Sequence, residues 1–144
     1  MRPLVRPAAL LSLTAALALA GCGGSSYPSS ADSICKQYNK KINAVPRPTS
    51  TAGLSGYIVQ VTPLFHQAIA KLKAVKPPSD KKAAYDRYVT ALNREATTLD
   101  QAGGIAKTNT RQAIGLLLTA QQQLSSEEKS QAKAAGLKTC AASG

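Results

Sequence analysis

The chain has 144 residues, of which 18 are lysine or arginine and 7 are aspartate or glutamate, giving a formal net charge of +11. A single histidine and three cysteines leave few side chains for metal binding or for acid–base catalysis. This length accommodates one ordinary domain and excludes two domains that each have a sizeable core.

Residues 1–21 have the layout of a secretory signal, in which Arg2 and Arg6 precede an apolar run over residues 8–20. The run is shorter than the roughly 20 residues of a membrane-spanning helix, so it predicts targeting without a membrane span. Leu-Ala-Gly then precedes Cys22, which resembles the lipobox of bacterial lipoproteins. That resemblance implies a lipid with palmitate-type chains on the Cys22 thiol and removal of the signal before it. The alternative is an ordinary secreted protein cleaved nearby.

Removal of residues 1–21 also removes Arg2 and Arg6, which leaves 16 basic and 7 acidic side chains and a net charge of about +9. Outside a cell, so basic a domain is expected to meet anionic lipid, wall polymer or an acidic protein, and no nucleic acid. The alternative is a surface that only keeps the domain soluble, because the basic residues are spread along the chain. The oligomeric state is left open.

The cysteines predict one disulfide once Cys22 is assigned to the anchor, since Cys35 and Cys140 remain as a pair. A compartment outside the cytoplasm permits this bond. Closing so long a loop restricts the unfolded chain by about 4–5 kcal/mol in the chain-entropy model. A metal site is the weaker interpretation, because these two cysteines and His66 supply at most three ligands without close spacing. No metal and no cofactor is expected.

Residues 22–30 predict a flexible tether, because they carry glycine, serine and proline without an apolar face. The folded domain is expected to occupy residues 31–144. Its first helix is expected from Ala31 to about Ala44, because the prolines that follow disfavour further helix.

The second predicted helix carries the longest apolar seam of the chain, with alternating steps of four and three residues. Thr49, Ser50 or Thr51 is expected to cap it, Pro63 to kink it and Pro77 to end it. The seam consists of Leu54, Ile58, Val61, Phe65, Ala68, Leu72 and Val75.

The third helix is expected to begin at a Ser79 cap and to end in a turn over residues 107–110. A fourth helix follows. Its polar stretch over residues 125–131 leaves open whether it is continuous, bent or split. Gly136 is expected to close it in the left-handed C′ position, with Leu137 folded back. The two inward stripes are Tyr85, Val89, Leu92, Ala96, Leu99 and Ala102, then Ala113, Leu117, Ala120 and Leu124.

The four segments and their short turns predict an all-α fold, an antiparallel up-down four-helix bundle. In that topology Cys35 and Cys140 lie at the same end. The lipobox, the early helical cysteine, the Pro77-Pro78 pair and the closing stretch over residues 134–141 together resemble small helical lipoproteins of high-GC Gram-positive bacteria. This resemblance implies the anchor and the architecture, and it assigns no functional residue.

No combination of residues predicts an enzyme. His66 has no acid nearby in sequence and is expected to be a partly exposed histidine without a catalytic role. No nucleophile elbow and no phosphate-binding loop occurs. The acidic side chains are expected to be solvated surface charges: Asp86, Glu95, Asp100, Glu127 and Glu128.

The sequence therefore favours a non-catalytic, membrane-anchored interaction module on the outer face of the cell membrane, whose basic surface contacts anionic envelope material or an acidic partner protein. The alternative is a carrier of a small apolar ligand. An alanine-rich seam with a kink at Pro63 is expected to leave a groove between the helices, and a carrier requires a pocket of about 300 Å³ or more.

Overall fold

A computed structural model describes residues 26–142, so the signal segment and Cys22 lie outside the described residues. Between residues 26 and 142 the chain forms helices and no strand, which confirms the all-α prediction. No helix in this part of the chain is long and apolar enough to cross a membrane. The long helices are α1 (Tyr27–Asn43), α2 (Leu54–Ala74), α3 (Ser79–Ala106) and α4 (Thr110–Ala134), with a 3-10 turn over Thr51–Gly53 before α2 and a short α5 (Thr139–Ala142) at the end.

Helix α1 begins at Tyr27, four residues before the predicted start, so the end of the predicted tether over residues 22–30 belongs to the bundle. The Tyr27 hydroxyl donates a 3.0 Å hydrogen bond to the carbonyl oxygen of Ala135. Its ring packs edge-on against Tyr85 with 5.4 Å between the centroids. Pro28 in the first turn lacks an N–H that would need a partner there. These contacts fix the start of the helix.

Two helix starts differ in chemistry. Pro78, and not Ser79, takes the N-cap position of α3, and no side chain caps that helix. Helix α4 is capped by Asn109, whose side-chain oxygen accepts a 3.1 Å hydrogen bond from the N–H of Gln112. The predicted turn between these helices is therefore present. A side-chain cap was expected at the start of α3 and is found at the start of α4 instead.

Helix α4 runs without interruption through the polar stretch over residues 125–131. It ends as predicted, with Gly136 at a φ of 80°. The N–H of Leu137 donates to the carbonyl of Ala132 at 2.9 Å, and the N–H of Gly136 donates to that of Lys133 at 2.9 Å. This pair of hydrogen bonds is the Schellman closure.

The predicted disulfide joins Cys35 and Cys140 with 5.2 Å between their Cα atoms. One turn earlier on α1, the Asp32 carboxylate accepts hydrogen bonds from the N–H groups of Lys138, Thr139 and Cys140 at 3.0, 2.8 and 3.0 Å. A covalent bond and three hydrogen bonds therefore attach the end of the chain to the start of the first helix.

The core consists of two clusters of buried side chains. The disulfide-end cluster includes residues of α1 to α5, among them Cys35, Leu72 and Tyr85, and also Leu137 from the turn between α4 and α5. The turn-end cluster consists of Ile58, Ala102, Ala106 and Ala113, all from α2, α3 and α4. Because α1 has 17 residues and α3 has 28, the first helix covers only part of the bundle's length.

Candidate ligand-binding cavity

A cavity of about 430 Å³ lies in the bundle beside the disulfide-end cluster. All four long helices contribute to its wall, and its volume falls within the range of small-molecule sites in proteins. The lining residues Asn39, Tyr57 and Gln121 are partly or fully exposed, so the cavity is open to solvent. The apolar lining includes Ile42, Val61, Phe65, Ala68, Ile69, Leu72, Leu92, Leu99, Leu117, Ala120 and Leu124.

Small and polar side chains of α4 form part of the cavity wall. Ala120, Gln121, Ser125 and Glu128 line the cavity from α4, at positions where large apolar residues would fill the interior. Opposite them α2 contributes Ala68. Protein interiors are close-packed, so such a volume inside a small bundle is a specific feature of this sequence.

A pair of carboxyl groups lies on the cavity wall, Glu95 from α3 and Glu128 from α4, and a side-chain hydrogen bond joins them. We call these two groups the carboxyl pair. Glu128 is 6% exposed, and its Oε1 atom has no hydrogen-bond partner in the described part of the protein. Glu95 is half-buried. The prediction that these two residues are solvated surface charges is therefore wrong.

Burial changes the proton affinity of both groups. It raises the pKa of Glu128 to about 8, with further contributions from the charge and hydrogen bond of Glu95 and from Glu127, against an opposing effect of Arg94. Burial also raises the pKa of Glu95, while the hydrogen bond from Glu128 lowers it. At neutral pH the carboxyl pair therefore holds a proton, because two adjacent buried carboxylates repel each other.

The other ionisable side chains that line the cavity are the tyrosines Tyr38, Tyr57 and Tyr88, and no lysine, arginine or histidine lines it. The Tyr88 hydroxyl lies 3.5 Å from the Sγ atom of Cys35. Burial raises the pKa of Tyr88, so this phenol stays neutral. The lining is thus free of positive charge in a chain whose net charge is strongly positive.

Two other acids of α3 and α4 have different surroundings. Glu127 forms an ion pair with Arg94 at the surface, where their side chains are 38% and 51% exposed. Asp86 pairs with Lys82 one turn before it on α3, and both are exposed. The prediction of exposed surface charge is correct for these acids.

His66 is about half exposed, as predicted, and the structure adds a partner that the sequence did not indicate. Its Nε2 atom lies 3.0 Å from a carboxylate oxygen of Asp100, which is 34 residues away on α3. The Asp100 side chain is 53% exposed, and neither residue lines the cavity. The pair therefore lies on the water-exposed surface.

Within residues 26–142 no group of three histidine, cysteine, aspartate or glutamate side chains is placed to hold a metal ion. The fold and the cavity define a small, disulfide-linked helical bundle with an acidic internal cavity. Comparison with protein families, with curated proteins and with solved structures finds no match.

The sequence did contain a signal for the carboxyl pair. Continuing the inward stripe of α4 by four residues from Leu124 reaches Glu128, and a step of three from Leu92 on α3 reaches Glu95. Because both residues are polar, they were not recognised as members of the inward-facing stripes. By contrast, the contact of Asp32 with α5 joins residues more than 100 positions apart, and no local pattern indicates it.

Proposed function

We propose that this protein is a lipoprotein, anchored through Cys22 on the outer face of a membrane, that binds a small and largely apolar ligand without chemically changing it. The cavity of about 430 Å³ between the helices is the observation that supports this function. It exceeds the volume that the carrier hypothesis requires, and aliphatic and aromatic side chains form most of its wall. This observation favours a carrier over an interaction module.

The exposure of the lining residues Asn39, Tyr57 and Gln121 supports entry of the ligand directly from solvent. Phe65, Leu92 and the other apolar lining residues offer surface that a ligand shields from water. Burial of apolar ligand surface contributes about 25 cal/mol per Å², which is the driving force we assign to binding.

Titration of the full chain carrying Cys22→Ser, which lacks the lipidated thiol, with decanol tests this function by calorimetry. We expect saturable binding, and we expect Ala120→Phe to abolish it because the larger ring occupies the cavity. The matched control is Gln122→Phe, which places the same ring on the exposed face of α4. Binding that survives Ala120→Phe and is lost in Gln122→Phe contradicts a cavity site.

A second candidate function, contact with anionic envelope material, is favoured by a surface groove beside Pro77. Lys73, Lys76 and Lys82 line this groove, and all three are exposed. Every other lysine and arginine between residues 26 and 142 is also exposed, apart from the half-buried Lys81. The anchor would hold this surface near anionic head groups or wall polymers.

Flotation with phosphatidylglycerol and phosphatidylcholine vesicles at low and high salt tests the second candidate. We expect binding of the anionic vesicles that weakens with salt and with glutamine at the three groove lysines. Salt-insensitive or absent binding contradicts it. The control variant loses the same number of charges at exposed lysines outside the groove, through Lys36→Gln, Lys40→Gln and Lys107→Gln.

A further inference from the structure

We propose that the cavity selects an amphiphilic amine, with its apolar body among the helices and its ammonium group at the Glu95–Glu128 carboxyl pair. This inference rests on the proposed function, because it names the class of ligand for the same cavity. It depends on the position of the pair, on one unsatisfied buried atom and on the absence of basic side chains from the cavity lining.

The unsatisfied atom is Oε1 of Glu128, which is buried and accepts no hydrogen bond within the described residues. A buried acceptor without a donor costs about 1–3 kcal/mol, so natural proteins rarely leave one. Glu128 is one of the residues that line the cavity, beside Glu95. A ligand that donates hydrogen bonds satisfies this atom, and a ligand with acceptors only does not.

The charge of the cavity wall also favours a ligand with an ammonium group. The carboxyl pair shares a hydrogen bond, and its ionisation is what places negative charge on the cavity wall. No lysine, arginine or histidine lines the cavity to neutralise that charge or to bind an anionic head group. A fatty acid carboxylate would therefore meet like charge, whereas an ammonium group meets opposite charge and two acceptors.

The ionisable groups around the pair are compatible with a bound cation. Tyr38 of α1, Tyr57 of α2 and Tyr88 of α3 line the cavity, and a tyrosine hydroxyl can accept a hydrogen bond. The Arg94 guanidinium is held outside by its ion pair with Glu127. An ammonium group inside the cavity therefore has no cationic side chain among the lining residues.

Three probes with the same chain and different head groups test this inference: decylamine, decanol and decanoate. They are titrated calorimetrically, near neutral pH, into the full chain carrying Cys22→Ser. We expect decylamine to bind at least about tenfold more tightly than decanol, which corresponds to about 1.4 kcal/mol, and decanoate to bind most weakly. An alkylamine is protonated under these conditions, since amines of this type have a pKa near that of lysine.

The double variant Glu95→Gln and Glu128→Gln keeps the shape of the wall and removes its charge. We expect the preference for decylamine over decanol to fall to about twofold or less, with the affinity for decanol nearly unchanged. Glu127→Gln is the matched control, because it removes a neighbouring carboxylate that does not line the cavity, and the preference is expected to persist.

The possible failures are distinguishable. Equal affinity for decylamine and decanol in the unsubstituted cavity overturns the amine inference and leaves the carrier function in place. A preference that the double variant retains also overturns it, because the selectivity then has another source. If none of the three probes binds, the carrier function itself is wrong and the amine inference falls with it.

Discussion

Glu128 on α4 is hydrogen-bonded to Glu95 on α3, and the two carboxyl groups lie together on the wall of an otherwise largely apolar cavity. Folding therefore buries two acids together, where Glu95 raises the pKa of Glu128 and the hydrogen bond from Glu128 lowers the pKa of Glu95. We expect stability and proton binding to depend on this contact, and with them the ligand choice that we propose.

The first prediction concerns stability against pH. An unfolded Glu128 loses its proton near pH 4.5, whereas the folded protein holds it up to about pH 8. The folded state binds more protons between these values, so the free energy of unfolding falls as pH rises, by at most about 1.4 kcal/mol per pH unit. Denaturant titrations at several pH values measure this slope.

Replacement of Glu128 by glutamine removes the ionisation that causes the slope. We expect Glu128→Gln to unfold at a higher denaturant concentration than the unsubstituted protein at pH values above the Glu128 pKa of about 8, and with a flatter pH dependence. Glu127→Gln changes the adjacent surface acid and is expected to keep most of the original slope. A slope that is unchanged in Glu128→Gln contradicts the assigned burial of this carboxyl group.

The second prediction concerns Asp32, whose carboxylate accepts three backbone N–H groups at the start of α5. Asp32→Ala leaves these donors without their partner, and we expect a loss of about 1–3 kcal/mol in the free energy of unfolding. Asp86→Ala is the control. It breaks an exposed ion pair within one helix and is expected to cost about 0.5 kcal/mol or less. Equal losses in the two variants would count against the role of Asp32.

The third prediction concerns the disulfide between Cys35 and Cys140. Replacing both cysteines with serine should lower the free energy of unfolding by about 2–5 kcal/mol, because the unfolded chain then regains the entropy of a long open loop. Denaturant titration of the variant and of the oxidised protein measures the difference. Intact mass after alkylation without reduction should show neither of these two thiols modified, and a modified Cys35 or Cys140 contradicts the bond.

The fourth prediction concerns Tyr27, which the sequence placed in the tether. Tyr27→Phe removes only the hydrogen bond to the Ala135 carbonyl, so we expect a loss of about 1 kcal/mol in the free energy of unfolding. Tyr27→Ala also removes the ring contact with Tyr85 and should cost more. Hydrogen exchange of the amides over residues 29–32 should rise in the alanine variant. No change in either variant would indicate that α1 begins later.

The helices could be predicted from the sequence because the residues that end them and form their apolar faces lie close together along the chain. Prolines at 46, 48, 77 and 78 exclude helix, the apolar residues of α2 recur at helical spacing, and Gly136 adopts the left-handed conformation that closes α4. The cysteine count and the up-down order of the helices predicted the disulfide before its geometry was known.

The environment of the acids was decided by the tertiary structure. In sequence, Glu127 and Glu128 are adjacent members of one polar stretch, yet one pairs with Arg94 at the surface and the other lies buried against Glu95. The rotation of α4 relative to α3 separates them, because consecutive helical residues point about 100° apart. Burial, and with it the raised pKa of Glu128, follows from how the helices pack around a cavity, whereas the sequence alone determined the helices and the disulfide that joins the two ends of the bundle domain.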